Sequence, residues 1–145
     1  MEKQNYKNHI RYYTAHHFVF YPLMLMLLGA CIYGIIQSQE QQLLWFVITG
    51  LVVITGWLSY MVRQHYSLTN QNRIARLELR LRYYQLTHKR LELIEDQLTL
   101  SHILALRFAS DEELEALVQK AIAEKLSPDA IKQSIKTWVG DYMRV

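Results

Sequence analysis

Residues 18–36 read FVFYPLMLMLLGACIYGII and residues 43–62 read LLWFVITGLVVITGWLSYMV, and these two stretches decide the fold. They run for 19 and 20 residues without a single charged or histidine side chain. Because an α-helix rises about 1.5 Å per residue, each stretch is long enough to cross a hydrocarbon core of about 30 Å. The sequence therefore predicts a two-helix transmembrane hairpin, with residues 37–42 as its connector.

Two alternatives compete with the hairpin. The first stretch could be a cleaved signal peptide, although no small-residue cleavage site follows it, since Ile36 is followed by QSQEQQ. A buried helical hairpin in a soluble protein would show the same two apolar runs. The single cysteine, Cys31, excludes an intramolecular disulfide. With 145 residues, the chain has little room for a catalytic domain beside a membrane anchor.

Basic residues flank the hairpin on one side only. The N-terminal flank carries Lys3, Lys7 and Arg11. The C-terminal flank carries Arg63, Arg73, Arg76, Arg80 and Arg82. The connector has neither Lys nor Arg, so the positive-inside rule predicts that both termini are cytoplasmic. We therefore expect an N-terminal cytoplasmic or interfacial segment (residues 1–17), the hairpin (18–62) and a cytoplasmic helical domain (63–145).

The C-terminal part reads as helical throughout, which makes the predicted fold class all-α. Residues 67–109 contain no Pro or Gly, and this predicts one long helix, or two with a kink, ending at about Phe108. Ser110 and Glu113 have the spacing of a capping box, so a new helix should begin at Asp111. Ser127 followed by Pro128 predicts the start of a last helix. These two short amphipathic helices and the long helix should form a cytoplasmic bundle. The last helix should present on one face Ile131, Ile135, Trp138, Val139 and Tyr142.

The predicted long helix has two apolar stripes. The first contains Ile74, Leu77, Leu81, Tyr84, Leu91 and Leu98. The second, here called the leucine repeat, contains Leu79, Leu86, Leu93 and Leu100, with Tyr83 beside it. A helix with two stripes must be covered on two sides, which favours a packed bundle over an isolated coiled coil. Packing along one side of the helix would cover only one of the two stripes. We therefore expect the other, the leucine repeat, to bind another chain or a partner.

Small residues and arginines supply the other candidate sites. Small residues let helices approach closely, within the hairpin or between copies of the chain, and we expect this role for Gly29, Ala30, Gly34, Gly50 and Gly56. The arginines near the end of the second run could bind anionic lipid headgroups, or they could enforce topology and pair with acidic residues. The residues in question are Arg63, Arg73, Arg76 and Arg80.

No catalytic, cofactor or metal site is predicted. The six histidines match no established ligand spacing, and phosphate-binding loops and nucleophile elbows are absent. Residues 111–145 carry five basic against seven acidic residues, so they lack the basic surface that nucleic acid requires. We therefore expect a non-enzymatic protein that does not bind nucleic acid.

Several stretches together resemble an uncharacterised family of small bacterial two-span membrane proteins, catalogued as a domain of unknown function. They are NHIRYY (8–13), HHF (16–18), RQHY (63–66), RLELRLRY (76–83), LRFASDEEL (106–114) and IKQSIKTW (131–138). The resemblance covers nearly the whole chain. It implies a bacterial membrane protein, and therefore the inner membrane, and it brings no assigned activity.

The functional expectation is a membrane-anchored assembly or partner-docking module. Its partners would be the lipid bilayer and either further copies of the chain or another membrane protein. The alternative is a small homo-oligomeric ion channel. Its pore would be lined by Gly29, Ala30, Gly34, Thr49, Thr55 and Ser59.

Overall fold

The computed structural model describes residues 3–10 and 12–142, and it confirms the all-α prediction: no strand occurs in these residues. Arg11, one of the charges used to predict orientation, lies outside the described residues. The chain divides into two compact units. Tyr12–Leu68 form one unit, which we call the helix pair. Residues 3–10 and 69–142 form the other, which we call the helical domain.

The helix pair contains two long α-helices that pack against each other. Helix α1 spans Tyr21–Gln37 and helix α2 spans Gln42–Met61. Pro22 lies in the first turn of α1, directly after the helical turn Ala15–Phe20. Short helical turns flank these helices. They are the π-turns Ala15–Phe20 and Val62–Ser67 and the 3₁₀ turn Gln39–Gln41.

The helical domain is built from four α-helices within the described residues. They are α3 (Leu68–Thr87), α4 (Leu100–Leu106), α5 (Asp111–Ala123) and α6 (Pro128–Ser134). Helix α3 directly continues the preceding π-turn, so the helical run is unbroken from Gln39 to Thr87. The core takes its largest side chains from all four helices. Among them are Leu79, Tyr83, Ile103, Leu106, Leu114, Val118 and Ile131, none more than 2% exposed.

Helix α3 ends at Thr87, so the prediction of one helix, or two with a kink, reaching Phe108 is wrong. His88 adopts a left-handed conformation with φ of 54°, a position that usually takes Gly or Asn. The Thr87 hydroxyl accepts a hydrogen bond from the Lys89 N–H, and Arg90 is extended. Two 3₁₀ turns then follow, Leu91–Leu93 and Glu95–Gln97. The chain is thereby redirected without any Pro or Gly.

Both predicted helix starts are confirmed. Ser110 and Glu113 form the capping box that begins α5 at Asp111. The Ser127 hydroxyl accepts the Ala130 N–H at the start of α6. One helix start was missed. Thr99 caps α4, with His102 supplying the returning side-chain contact where Glu or Gln is usual.

Helix α6 is shorter than the apolar pattern suggested. It ends at Ser134, and Ile135 is already extended with ψ of 121°. The predicted helical face through Trp138 and Tyr142 is therefore wrong. A hydrogen bond from the Val139 N–H to the Phe108 carbonyl, 2.8 Å long, instead holds this last stretch against the end of α4.

Candidate functional site

The N-terminal segment is an integral part of the helical domain. Gln4 and His9 are buried, at 5% and 9% exposed. The Gln4 side-chain oxygen accepts the Asp141 N–H at 2.7 Å, and the Tyr142 hydroxyl accepts the Gln4 N–H at 3.3 Å. The Gln4 side-chain amide donates to the His9 carbonyl at 3.3 Å. Residues about 140 positions apart are therefore joined by partly buried hydrogen bonds.

An aromatic cluster completes this junction. The rings of Phe108 and Trp138 stack with centroids 4.6 Å apart. The His9 imidazole lies 5.8 Å from Phe108 and 5.7 Å from Trp138. The Arg107 guanidinium covers the Phe108 ring at 4.7 Å. The sequence analysis assigned residues 1–17 to a cytoplasmic or interfacial segment, and no sequence signal placed His9 beside Phe108 and Trp138.

Two of the four candidate arginines are engaged by one carboxylate. Arg76 and Arg80 contact Glu95 at 3.1 Å and 2.6 Å. The Glu95 side chain is only 11% exposed, so this contact fixes the two 3₁₀ turns that follow α3, here called the 3₁₀ segment (residues 91–97), against α3. The predicted long helix would have carried Glu95 on the same helix as Arg76 and Arg80. Because α3 ends at Thr87, the chain reverses and Glu95 contacts both arginines from a separate segment.

A third arginine holds the connection between α4 and α5. Arg82 contacts the Asp111 carboxylate, and its guanidinium also donates to the carbonyls of Arg107 and Ala109. This arginine was predicted only as a flanking charge. Its contacts assign it to stabilising the fold, because they satisfy carbonyls at the end of α4 that lack intrahelical partners.

The other two candidate arginines are more open to solvent. Arg63 is half-buried in the π-turn Val62–Ser67, and Arg73 is exposed on α3. Neither makes an ion pair with any residue that the structure describes. Arg73 borders a shallow depression of about 250 Å³ with Thr69, Asn72, Arg76 and Leu100. The headgroup or topology role of the four arginines stays a prediction.

The candidate small residues differ in how closely the helix pair packs around them. A Cβ atom at Gly34 would overlap the indole of Trp45, so glycine is required there. A Cβ at Gly56 would meet only the Met24 methyl, at 3.5 Å. Nothing lies within 4 Å of the Cβ positions of the other two glycines, Gly29 and Gly50. Ala30 is likewise exposed. Close packing is therefore concentrated at the connector end, beside buried Cys31.

Two of the three hydroxyl residues proposed for a pore, Thr49 and Thr55, bond to their own helix. The Thr49 hydroxyl donates to the Trp45 carbonyl at 2.7 Å, and Thr55 donates to Leu51 at 2.8 Å. This i−4 bonding is the ordinary way to satisfy a hydroxyl within an apolar helix. Gly34, another proposed lining residue, is covered by Trp45.

The leucine repeat is not a continuous stripe. Leu79 is 2% exposed in the domain core and Leu86, on α3, is 39% exposed. Leu93 lies on a 3₁₀ turn at 74% exposed, and Leu100 begins α4. The predicted single helical stripe is wrong because α3 ends between the second and third leucines. Whether any of these residues binds a partner stays a prediction.

The largest exposed apolar face of α3 belongs to the other stripe. Four side chains at least half exposed, which we call the α3 seam, follow each other along one side of the helix. They are Ile74, Leu77, Leu81 and Tyr84, at 56%, 60%, 59% and 50% exposed. The last two members of the predicted stripe, Leu91 and Leu98, are instead buried beyond the end of α3.

Outside the helix pair, two solvent-exposed groups have shifted pKa values, Lys89 and Glu112. A hydrogen bond from Lys89 to the Glu115 carboxylate raises the Lys89 pKa above its ordinary value. The Ser110 hydroxyl lowers the pKa of Glu112. Among residues 3–10 and 12–142, no group of three or more His, Cys, Asp or Glu could hold a metal ion. These pKa shifts have ordinary structural causes and do not mark a reactive group.

These features define an all-α protein with two apolar helices long enough to cross a membrane by length and composition. The chain belongs to the family described as "Family of unknown function (DUF6526)", which matches residues 1–145. No match was found among curated proteins, and none among solved structures. The resemblance to an uncharacterised family is thereby confirmed.

Proposed function

We propose that the protein is a non-enzymatic integral protein of the bacterial inner membrane. In this proposal α1 and α2 cross the bilayer as a hairpin, and the helical domain lies in the cytoplasm as an assembly or docking module. The main observation in support of this proposal is that most of the apolar surface of both helices is exposed, with no other described part of the chain packed on it. The most apolar 18-residue windows of the two helical runs are 11% and 0% buried. The core helix of a soluble protein would be mostly buried, so a lipid environment accounts better for this surface.

The position of the N-terminal segment supports a hairpin with both flanks on the same side. Residues 3–10 precede α1 and residues 69–142 follow α2, yet both belong to one folded domain. A chain that crossed the bilayer only once would separate these segments by the thickness of the membrane. Two crossings bring them back to the same side, and the lack of Lys and Arg in the connector favours the cytoplasm for that side.

The surface of the helical domain supports docking rather than catalysis. Exposed apolar side chains are concentrated on one side of α3, while the residues of the opposite side are buried. Contiguous apolar surface of this kind is typical of protein contacts. The depression beside Arg73 is shallow, and its lining offers no nucleophile paired with a base.

Membrane extraction combined with side-specific labelling tests the proposal. We expect the full chain to stay in the membrane fraction in alkaline carbonate and in high salt. Cysteines introduced at Glu40 in the connector and at Glu124, directly after α5, in a Cys31→Ala background, form a matched pair on opposite sides. An impermeant maleimide applied to intact spheroplasts should label position 40 and spare position 124. Release by carbonate, or labelling of position 124 alone, would refute the proposal.

The ion channel remains the alternative function. It predicts voltage- or tension-dependent current from purified protein in planar bilayers. Thr49→Val and Thr55→Val would then alter conductance, because they replace the hydroxyls assigned to the pore. The absence of current across voltage and tension would exclude the channel and leave the docking module as the proposed function.

A further inference from the structure

We propose that the α3 seam is the contact between two copies of this chain, which pair there as a short parallel coiled coil. Ile74, Leu77, Leu81 and Tyr84 follow the alternating three- and four-residue spacing of core positions a and d. All four are at least half exposed. Ile at position a followed by Leu at position d is the combination that favours two parallel strands.

The remainder of α3 shows why this face is available to a second copy. Ala75, Leu79 and Tyr83 lie on the other side of the helix and are 4%, 2% and 1% exposed. They belong to the buried core of the chain, which the 3₁₀ segment and the later helices complete. The helical domain therefore uses one stripe of α3 for itself and leaves the seam uncovered.

Charged residues beside the seam are complementary to a second copy. With Ile74 at position a, Arg73 falls at position g and Glu78 at the following position e. In a parallel dimer, a g residue meets the e residue five positions later on the partner helix. Each Arg73 would thus pair with the partner's Glu78, twice by symmetry.

Arg73 and Glu78 are both exposed, and neither makes an ion pair with a residue in the described part of the chain. Five positions along a helix place Arg73 and Glu78 about 140° apart, so they do not face each other on α3. A second, parallel copy supplies the arrangement in which both charges are paired.

The inference rests on the proposed function in one respect. Two chains anchored in the same membrane share one orientation relative to it, and a parallel pairing of their α3 helices requires this shared orientation. From Ile74 to Tyr84 the seam is about 15 Å long, which is short for a coiled coil in dilute solution. A shared membrane raises the effective concentration of the two seams, so a short contact becomes sufficient.

Disulfide trapping of the full chain in native membranes tests the seam. In the Cys31→Ala background, single cysteines replace Leu77, Leu81 and, as the control, Leu93. Leu93 is 74% exposed and lies outside the seam, on the leucine repeat. We expect oxidation to link chains through positions 77 and 81 with a yield roughly tenfold above that at position 93. Equal or greater linkage at position 93 would refute the proposal that two copies contact each other through the α3 seam.

A charge exchange separates a direct contact from an effect on folding. Arg73→Glu or Glu78→Arg alone places like charges opposite each other in the dimer, and should lower linkage at position 81 roughly tenfold. The double variant restores opposite charges and should recover the linkage. The control, Glu92→Arg, should leave the linkage unchanged. The proposed pairing of Arg73 with Glu78 would be refuted if the single variants left linkage at position 81 unchanged, or if the double variant did not restore it.

Carbonate extraction of the same membranes keeps the two proposals distinguishable. If the wild-type chain is retained in the membrane but position 81 does not link, the seam is wrong and the membrane proposal stands. If carbonate releases the chain, both fail, because the anchoring that aligns the two helices is absent.

Discussion

Substitution of Gly34 by alanine provides a direct test of how α1 and α2 pack. The added methyl group would overlap the Trp45 indole, which is itself held between the helices. Overpacking of this kind costs about 1–3 kcal/mol. Alanine also gains about 0.5–1 kcal/mol over glycine within a helix. We therefore expect Gly34→Ala to lower the free energy of unfolding of the helix pair by about 1–2 kcal/mol.

Matched controls remove the helix-propensity contribution. Gly29 is on the same helix and Gly50 is on the facing one, and a Cβ at either position meets nothing within 4 Å. Gly29→Ala and Gly50→Ala should therefore be neutral or stabilising by about 0.5–1 kcal/mol. The difference between Gly34→Ala and the mean of the controls isolates the steric cost, which should be about 1–3 kcal/mol.

The assay is reversible unfolding in mixed micelles, with SDS as the denaturant. Tryptophan fluorescence reports it in a background in which Trp57 and Trp138 are replaced by phenylalanine, so that the signal comes from Trp45. We expect Gly34→Ala to unfold at a lower SDS fraction than either control. Its Trp45 emission should also shift before the transition, as the ring is displaced. Indistinguishable transitions for the three alanine variants would refute the close approach at Gly34.

Three further predictions concern the helical domain of the full chain. Glu95→Ala removes the carboxylate shared by two arginines and should cost about 1–2 kcal/mol in urea unfolding. Its control, Glu92→Ala, breaks only an exposed 3.8 Å pair and should stay within about 0.5 kcal/mol of wild type. Glu113→Ala leaves three backbone N–H groups without their carboxylate acceptor and should cost about 1–3 kcal/mol by the same measurement. His9→Ala opens the aromatic cluster, so hydrogen exchange of the Asp141 N–H should accelerate through loss of the N-terminal segment.

Outcomes of the opposite kind would contradict each of these expectations. If Glu95→Ala and Glu92→Ala were equally mild, the 3₁₀ segment would be held by its apolar contacts alone. Glu124→Ala removes an exposed pair with Lys120 at 4.0 Å; if Glu113→Ala cost no more than this variant, the capping box would carry no net stability. Unchanged exchange at Asp141 in His9→Ala would show that the aromatic cluster does not hold the N-terminal segment.

Local signals in the sequence predicted two of the three capped helix starts that the structure describes in the helical domain; the third, at Thr99, was missed although its contacts are also local. The capping box at Ser110 and the cap at Ser127 involve residues within three positions, and both helix starts were predicted correctly. The apolar runs of α1 and α2 were visible because a long, uncharged helix is a property of composition. The end of α5 is also local: Lys125 adopts φ of 49°, and the Leu126 N–H bonds to the Ala121 carbonyl.

The parts that were missed depend on distant contacts or on an unusual residue in a familiar conformation. The junction of Gln4 with Asp141 spans most of the chain, and no periodicity reports it. The end of α3 uses His88 in the left-handed conformation, where the prediction had relied on finding Gly or Pro. Once the helix ends there, Glu95 reaches Arg76 and Arg80 from another segment.

The same break decides which apolar stripe is available to a partner. On a straight helix the two stripes are equivalent by composition, and the leucine repeat was the more regular of the two. After the break, Leu91 and Leu98 enter the core on the 3₁₀ segment, and Leu79 meets them from α3. The start of the leucine repeat is thereby used within the chain. The first part of the other stripe, from Ile74 to Tyr84, remains at least half exposed, so the surface proposed to pair two copies is set by where α3 ends.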